Sequence, residues 1–313
     1  MAHPRTFRFG IQVSSAASGT DWAALAREAE DLGYSTLFMP DHFGEQLAPV
    51  PALAAAAEAT SSLRIGPLVL DNDYKHPVVT AKEMATLDVL SGGRLELGIG
   101  AGWMATDYES SGIPMDAAGE RVDRLEEGLA VIKGLFAPGP FSFDGKHYRI
   151  TALDGMPKPV QQPGPPVLIG GGGPRVLALA GREADIVGIN PAVRHGRVDA
   201  DASRDGMADV TDRKVGWVRD AAGDRYDDIE LNMLIYVVAI SDDRDETLAN
   251  MAPFFQTTSE ELAAYPHAWL GSVDQIAEDL IARRERWDVS YLVVQGVDTM
   301  RSAAPIVARL AGT

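Results

Sequence analysis

Three short stretches of the chain carry residues whose types and spacing could do chemistry. Residues 37–44 read Leu-Phe-Met-Pro-Asp-His-Phe-Gly, so Asp41 and His42 stand side by side just beyond an apolar run. An imidazole gives or takes a proton near neutral pH, and an adjacent carboxylate can orient it or hold charge beside it. An isolated Asp-His is more often a turn in which the aspartate caps a backbone amide. Both readings stay open on these residues alone. At 170–176 four glycines run into Pro174, Arg175 and Val176. Proline suits the first turn of a helix, so the glycines abut a helix N-terminus, where free amides and the helix dipole attract phosphate. The plainer reading is a tight turn needing positive φ; one or two glycines satisfy it, four less comfortably. Arg175 adds a charge there unless it points to solvent. At 100–103, Gly-Ala-Gly-Trp presents Trp103 either to the core or as the wall of a site for a ring-shaped ligand.

These residues need elements to hold them. Apolar runs recur at 7–13, 36–39, 63–70, 94–100, 165–171, 185–190, 232–240 and 290–296, several of them continuously apolar, as in strands covered on both faces. Helical patterns lie between them. Trp22, Leu25, Ala29 and Leu32 fall on one face, and Gly33 follows as a stop. Val122, Leu125, Leu129, Ile132 and Phe136 form a second stripe, and Ser272 with Gln275 has capping-box spacing. Alternating strands and helices predict an α/β fold, a (β/α)₈ barrel in one domain over 1–313, with insertions at about 137–164, 191–228 and 241–271. A doubly wound open sheet competes, but no GxGxxG follows the first strand. The 191–228 segment, rich in Asp, Arg and Gly, reads as a mobile lid. In a barrel the sites lie at strand C-termini, where all three chemical stretches fall.

Composition narrows the function. A formal charge of −17 without a basic stripe excludes nucleic acid as the expected partner. No run is long and apolar enough to span a membrane. With no cysteine, disulfides, thiolate ligands and a cysteine nucleophile are excluded. The N-terminal stretch has no apolar core of a secretory leader, and a cytoplasmic location is expected. His3, His42, His76, His147, His195 and His267 show no tight ligand spacing, so no metal site is expected.

The sequence resembles the luciferase-like monooxygenase superfamily. The likeness is carried by Phe-Gly-Ile in the first strand, Pro-Asp-His-Phe at 40–43, the stretch from His76 to Trp103, the stretch from Pro165 to Asn190, and the run at 271–280. Within it the chain looks most like the branch that uses coenzyme F420, a deazaflavin. That likeness implies a barrel of the bacterial luciferase type with the cofactor ring at the strand C-termini. It implies phosphate binding at Gly172, Gly173, Arg175 and Val176, with Gly171 a further cofactor contact, and a bulge with a cis peptide at Leu68–Val69 backing the ring. Gly102 and Thr106 join the cofactor contacts, and Asp41 and His42 lie over the reactive part of the ring. Phe43, Trp103 and Asn190 are the candidate substrate contacts.

The carry-over has limits. Sugar-phosphate dehydrogenases of this branch place a glutamate where Trp103 stands and an asparagine where Thr106 stands, so their acid/base pair does not transfer. The resemblance thus implies hydride exchange between the deazaflavin and an unsaturated or oxidisable small organic molecule, with His42 as proton donor. Arg194, Arg197 and Lys214 read as surface charges. FMN-dependent monooxygenation is the alternative, a non-catalytic flavin-binding barrel the second. Superfamily members are commonly dimers, which makes a homodimer the expectation.

Overall fold

A computed structural model describes residues 5–194 and 196–313; His3 and His195 lie outside the described residues. Along the chain, β1 (Arg8–Gln12) leads to α1 (Gly19–Asp31) and β2 (Thr36–Met39) to α2 (Pro49–Ala59). β3 (Arg64–Pro67), continued by β4 (Leu70–Asp71), leads to α3 (Pro77–Leu90). After β5 (Leu97–Gly100) come α4 (Ala105–Ser111), α5 (Ala118–Phe136) and an antiparallel hairpin of β6 (Phe141–Asp144) and β7 (Arg149–Leu153). β8 (Val167–Gly171) leads to α6 (Pro174–Glu183), and β9 (Ile186–Ile189) to α7 (Ala200–Asp205) and α8 (Ala208–Ala222). β10 (Glu230–Ile235) is followed by β11 (Val237–Ile240), α9 (Arg244–Met251), α10 (Ser259–Ala263), β12 (Ala268–Gly271) and α11 (Val273–Trp287). β13 (Val289–Gln295) and α12 (Val297–Leu310) come last.

The main sheet is parallel throughout, in the order β3-β2-β1-β13-β10-β9-β8-β5-β4. A parallel bridge between Ile65 and Leu95 joins its two ends and closes the barrel. All eight apolar runs supply its strands, for the reason the pattern suggested: both faces are covered. In β2, Leu37 and Met39 pack outward against the helices, while Phe38 packs inward with Leu168, Ile186, Tyr291 and Val293. A fully buried side chain of this size stabilises by about 1.5–3 kcal/mol, so inner and outer layers together fix the register.

The helix signals hold. Ser18 caps α1, whose Trp22, Leu25 and Ala29 are buried, and Gly33 adopts a φ of 84°. Ser272 and Gln275 form both halves of a capping box on α11. The run at 232–240 departs from expectation: it is not one strand. Its second half leaves the barrel at Tyr236 and pairs with β12 in a separate two-stranded sheet, because the amide of Tyr236 donates to the carbonyl of His267 (2.9 Å) instead of to a barrel neighbour. The 191–228 segment carries α8, which packs as the outer helix between β9 and β10 with Val215 and Val218 buried. No helix among the described residues is long and apolar enough to cross a membrane.

The N-terminal end of the barrel is plugged by ions. Arg8 bonds Glu96 (2.6 Å) and Glu230 (2.6 Å) and lies 3.7 Å from the centre of the Tyr291 ring. The C-terminal end is where glycines gather.

Candidate active site

Glycines at the strand ends make room for a bulge. Added Cβ atoms would strike the carbonyl of Pro67 at Gly98 and the side chain of Val69 at Gly100, and would contact Val69 at Gly170. In that space the chain passes from β3 to β4 through a cis Leu68–Val69 peptide. Gln12, at the end of β1, donates to the Leu68 carbonyl (2.7 Å), and Gln295 of β13 donates to Gln12 in turn (2.6 Å). Two neighbouring strands thus hold the bulge by its backbone.

On one side of Val69 stands the Asp-His pair. His42 Nδ1 lies 2.6 Å from Asp107 Oδ2 on α4. The same carboxylate accepts from the Phe43 amide (3.3 Å) and the Tyr74 hydroxyl (3.3 Å). Since a carboxylate only accepts, Nδ1 carries the proton and Nε2 is the ring nitrogen left to act. The edge of one ring meets the other where His42 packs on Trp103, with centroids 5.7 Å apart. Phe43, half exposed, leans on Tyr74 with centroids 4.5 Å apart. The reading of Trp103 as a core residue is therefore displaced: it is partly exposed beside the imidazole.

Asp41 accepts the amide of Asp71 at 3.1 Å. Burial pushes the Asp41 carboxyl up and drives that of Asp71 up to about 6. Gly102, with φ at 73°, has no side chain because one would collide with Tyr108 and Asp71. Burial and the nearby Asp71 carboxyl likewise push the phenols of Tyr74 and Tyr108 up, so both are hydroxyl donors. Thr106 is exposed on α4.

On the other side of Val69 lies the glycine turn. None of Gly170 to Gly173 has a positive φ, so the tight-turn explanation fails. Gly171 is required because a Cβ would meet Val176, and Gly172 because one would meet the backbone of Asn190 and Ala192. Gly173 caps α6 and has nothing within 4 Å of where its Cβ would be. The amides of Arg175 and Val176 belong to the first helical turn, which offers them no carbonyl. The Arg175 side chain points elsewhere, donating to the Gly119 carbonyl (3.1 Å) and pairing with Asp123 on α5. Asn190 pairs by its amide with the Gly171 carbonyl (2.9 Å).

Lys214 is no surface charge, contrary to expectation. Its side chain is 1% exposed, it pairs with Asp205, and it donates to the carbonyls of Asn190 (2.8 Å) and Asp205 (2.7 Å). Burial lowers its pKa. It staples the loop that backs Gly172. That loop reaches the other half of the site, since the Ala105 amide donates to the Gly196 carbonyl (3.1 Å). Arg194 and Arg197 are exposed, as expected. Gln12, Asp71, Tyr74, Asp107 and Tyr108 escaped the sequence reading. The Asp-Asn-Asp of 71–73, directly after a strand, was the one signal available for part of this set.

A parallel barrel with a bulged third strand, an imidazole–carboxylate pair at its mouth and a glycine-lined helix start defines a class of cofactor-binding barrel enzymes. The description Luciferase-like monooxygenase matches residues 5–295, and the chain belongs to this family. It is similar to 5,10-methylenetetrahydromethanopterin reductase of Methanopyrus kandleri (31% identity; 58% of this chain, 55% of that one). It is similar also to an F420-dependent glucose-6-phosphate dehydrogenase of Microbacterium testaceum (33%; 57% and 55%). A third relative is an FMNH₂-dependent dimethylsulfone monooxygenase of Pseudomonas putida (29%; 56% and 51%). The chain spans about half the length of these relatives. Among solved structures, the F420-dependent tetrahydromethanopterin reductase of Methanopyrus kandleri shares the fold (TM-score 0.77, 20% identity, 98% of this chain and 100% of that one). So does a long-chain alkane monooxygenase (TM-score 0.78, 15% identity, 98% and 92%). The family therefore holds both F420-dependent and FMN-dependent relatives of this chain.

Proposed function

We propose that the chain is an oxidoreductase that uses coenzyme F420 to exchange hydride with an unsaturated or oxidisable small organic molecule, His42 supplying the proton. The observation that carries this reading is the 2.6 Å contact between His42 Nδ1 and Asp107. It fixes the ring and leaves Nε2 free at the barrel mouth.

The residues present fit such a cofactor. Gly173 leaves open space at the start of α6, and the amides of Arg175 and Val176 would meet a phosphate there. Val69, Gly102 and Trp103 would border the ring; Leu68 is held from behind by Gln12. The Arg175 guanidinium is engaged by Asp123, so its contribution is its amide. When bound, the deazaflavin supplies or accepts a hydride. In the reducing direction, protonated His42 gives its Nε2 proton to the substrate atom that becomes electron-rich, while Asp107 keeps the Nδ1 proton in place. Trp103 and Phe43 present aromatic surface beside that nitrogen, and Asn190 a polar group across the bulge. The mouth carries Asp41, Asp71, Asp73 and Asp107; of the cations nearby, Arg124 is bound to Asp73 and Asp116, Lys75 to Glu83, and Arg121 to the Ala101 and Gly102 carbonyls. An uncharged substrate suits this field better than a phosphorylated one.

FMN is the rival cofactor, favoured by the dimethylsulfone monooxygenase relative. A fluorescence titration separates the two: the deazaflavin is expected to bind more tightly, and equal or tighter binding of FMN overturns this reading. The proposal includes a cytoplasmic homodimer. Leu90, 65% exposed, lines a groove between α2 and α3 with Val50, Ala54 and Leu87 and with the polar Lys82, Glu83 and Thr86. Light scattering at the mass of one chain would remove that part.

A further inference from the structure

The hydroxyl of Tyr108 lies between two carboxyl groups. Its oxygen is 2.8 Å from Asp71 Oδ2 and 3.0 Å from Asp73 Oδ2. A hydroxyl has one proton to give. Were both carboxyls ionised, one contact would set a bare carboxylate oxygen against a hydroxyl lone pair. Such a clash is costliest where water is excluded, and Asp71 is 8% exposed with the Asp73 side chain at 2%. One added proton removes it. Asp73 is already ion-paired, with Arg124 2.7 Å from its Oδ1. Asp71 has no ion pair among the described residues. Its Oδ1 accepts the Asp73 amide at 2.9 Å, leaving Oδ2 to carry a hydrogen.

We propose that Asp71, as a carboxylic acid, is a positioning residue: it donates to Tyr108, Tyr108 donates to Asp73, and this chain of bonds seats α4 so that Asp107 meets His42. Asp107 and Tyr108 are consecutive residues, so what fixes one fixes the other. The loop after β4 thereby holds the same helix that the loop after β2 grips through His42.

The groups facing Asp71 are Asp41 from the loop after β2, Asp73 and Tyr74 from its own loop, Asp107 and Tyr108 from α4, and Arg121 and Arg124 from α5. Both arginines are engaged elsewhere: Arg121 donates to the Ala101 carbonyl (3.0 Å), and Arg124 pairs with Asp73 and Asp116. Burial and the nearby charges of Asp73 and Asp41 favour a retained proton on Asp71. Burial, the largest influence, moves its carboxyl up to about 6. The bond chain is complete below about that pH and opens as pH rises through it.

Asp71→Asn imitates the acid form, because its amide N–H can donate to Tyr108 while its oxygen accepts from Asp73. The test compares wild type with this variant from about pH 5 to about pH 8. Relative to wild type, the melting temperature of the variant is expected to rise by several degrees across that range. An infrared carbonyl band of a protonated carboxyl group is expected in wild type at the acid end, fading near pH 6 and absent from the variant. The His42 ring resonances should follow the same midpoint in wild type and lose that transition in the variant. A melting difference constant with pH, or no band assignable to Asp71, overturns the protonated state. Ring resonances indifferent to the Asp71 titration overturn its positioning role. The consequence for turnover rests on the proposed part of His42, whereas the band does not: a fully active His42→Ala enzyme would end that functional reading and leave the Asp71 band in place.

Discussion

His42 Nδ1 and Asp107 Oδ2 meet at 2.6 Å across 65 residues of chain. One comes from the loop after β2, the other from the short helix after β5. The pair fixes which nitrogen of the imidazole faces the mouth of the barrel.

If that nitrogen gives a proton, His42→Ala should lower turnover by about 10²–10⁴-fold, the usual share of general acid catalysis. His42→Asn should be nearly as slow, because an amide bonds but does not titrate. Cofactor affinity should change far less than turnover in both. Steady-state kinetics on activated enones or imines with the reduced deazaflavin, with binding titrations alongside, provide the check. Near wild-type turnover in both variants would remove His42 from the reaction.

Asp107→Asn keeps the shape of the contact but weakens its hold on the Nδ1 proton. Turnover should fall by up to about 10⁴-fold with cofactor affinity nearly unchanged, by the logic of the carboxylate that orients histidine in hydrolase triads. An unaltered turnover number would mean that the carboxylate serves only to fold the loop.

Gly173→Asp separates binding from folding. Gly173 is the N-cap of α6, its φ is −90°, and an added Cβ meets nothing within 4 Å. Aspartate is a preferred cap but glycine is only slightly worse, so the fold should be unharmed or gain roughly a few tenths of a kcal/mol. A carboxylate facing a phosphate should cost about 2 kcal/mol or more in a partly dry site, weakening cofactor binding by well over tenfold. Normal binding by this stable variant would place the phosphate elsewhere. Gly172→Ala, by contrast, should destabilise the protein itself, because its methyl would press on the backbone at Asn190 and Ala192.

His267 sets a stability change with pH. It is 1% exposed, bonds the Leu234 carbonyl (2.8 Å), and is driven down to about 4 by burial, from an ordinary 6.5. The unfolded chain therefore binds the proton first. The stability is fully present above about pH 6.5 and is lost as pH falls toward 4, about 3 kcal/mol from this group. Chemical denaturation across that range should show the loss, and His267→Gln should flatten it. An equally steep curve in the variant would assign the effect to other groups. Asp71 runs oppositely, its raised carboxyl costing stability as pH rises from about 4 to about 6.

The sequence by itself determined the eight strands, the capped helices and the positions of the three chemical stretches. These depend on local rules: apolar runs buried on both faces, polar caps beside them, and glycine where two backbones approach. The cis Leu68–Val69 bond lay where the family likeness had put it. Only the tertiary structure decided what those residues touch. Trp103 lies beside His42 because the loop after β5 folds across the loop after β2. Arg175 serves Asp123 instead of the glycine turn because α5 lies closer to its guanidinium. Lys214, a charge on a polar-looking segment, is buried because the loop after β9 supplies it with two carbonyls and a carboxylate. Asp107 gave no local sign of a role because its partner is 65 residues away, and the partner of Asp71 is 37 residues away. Periodicity reports which face of an element is buried; the pairing of two polar groups from different loops depends on barrel closure, which no single stretch of the chain contains.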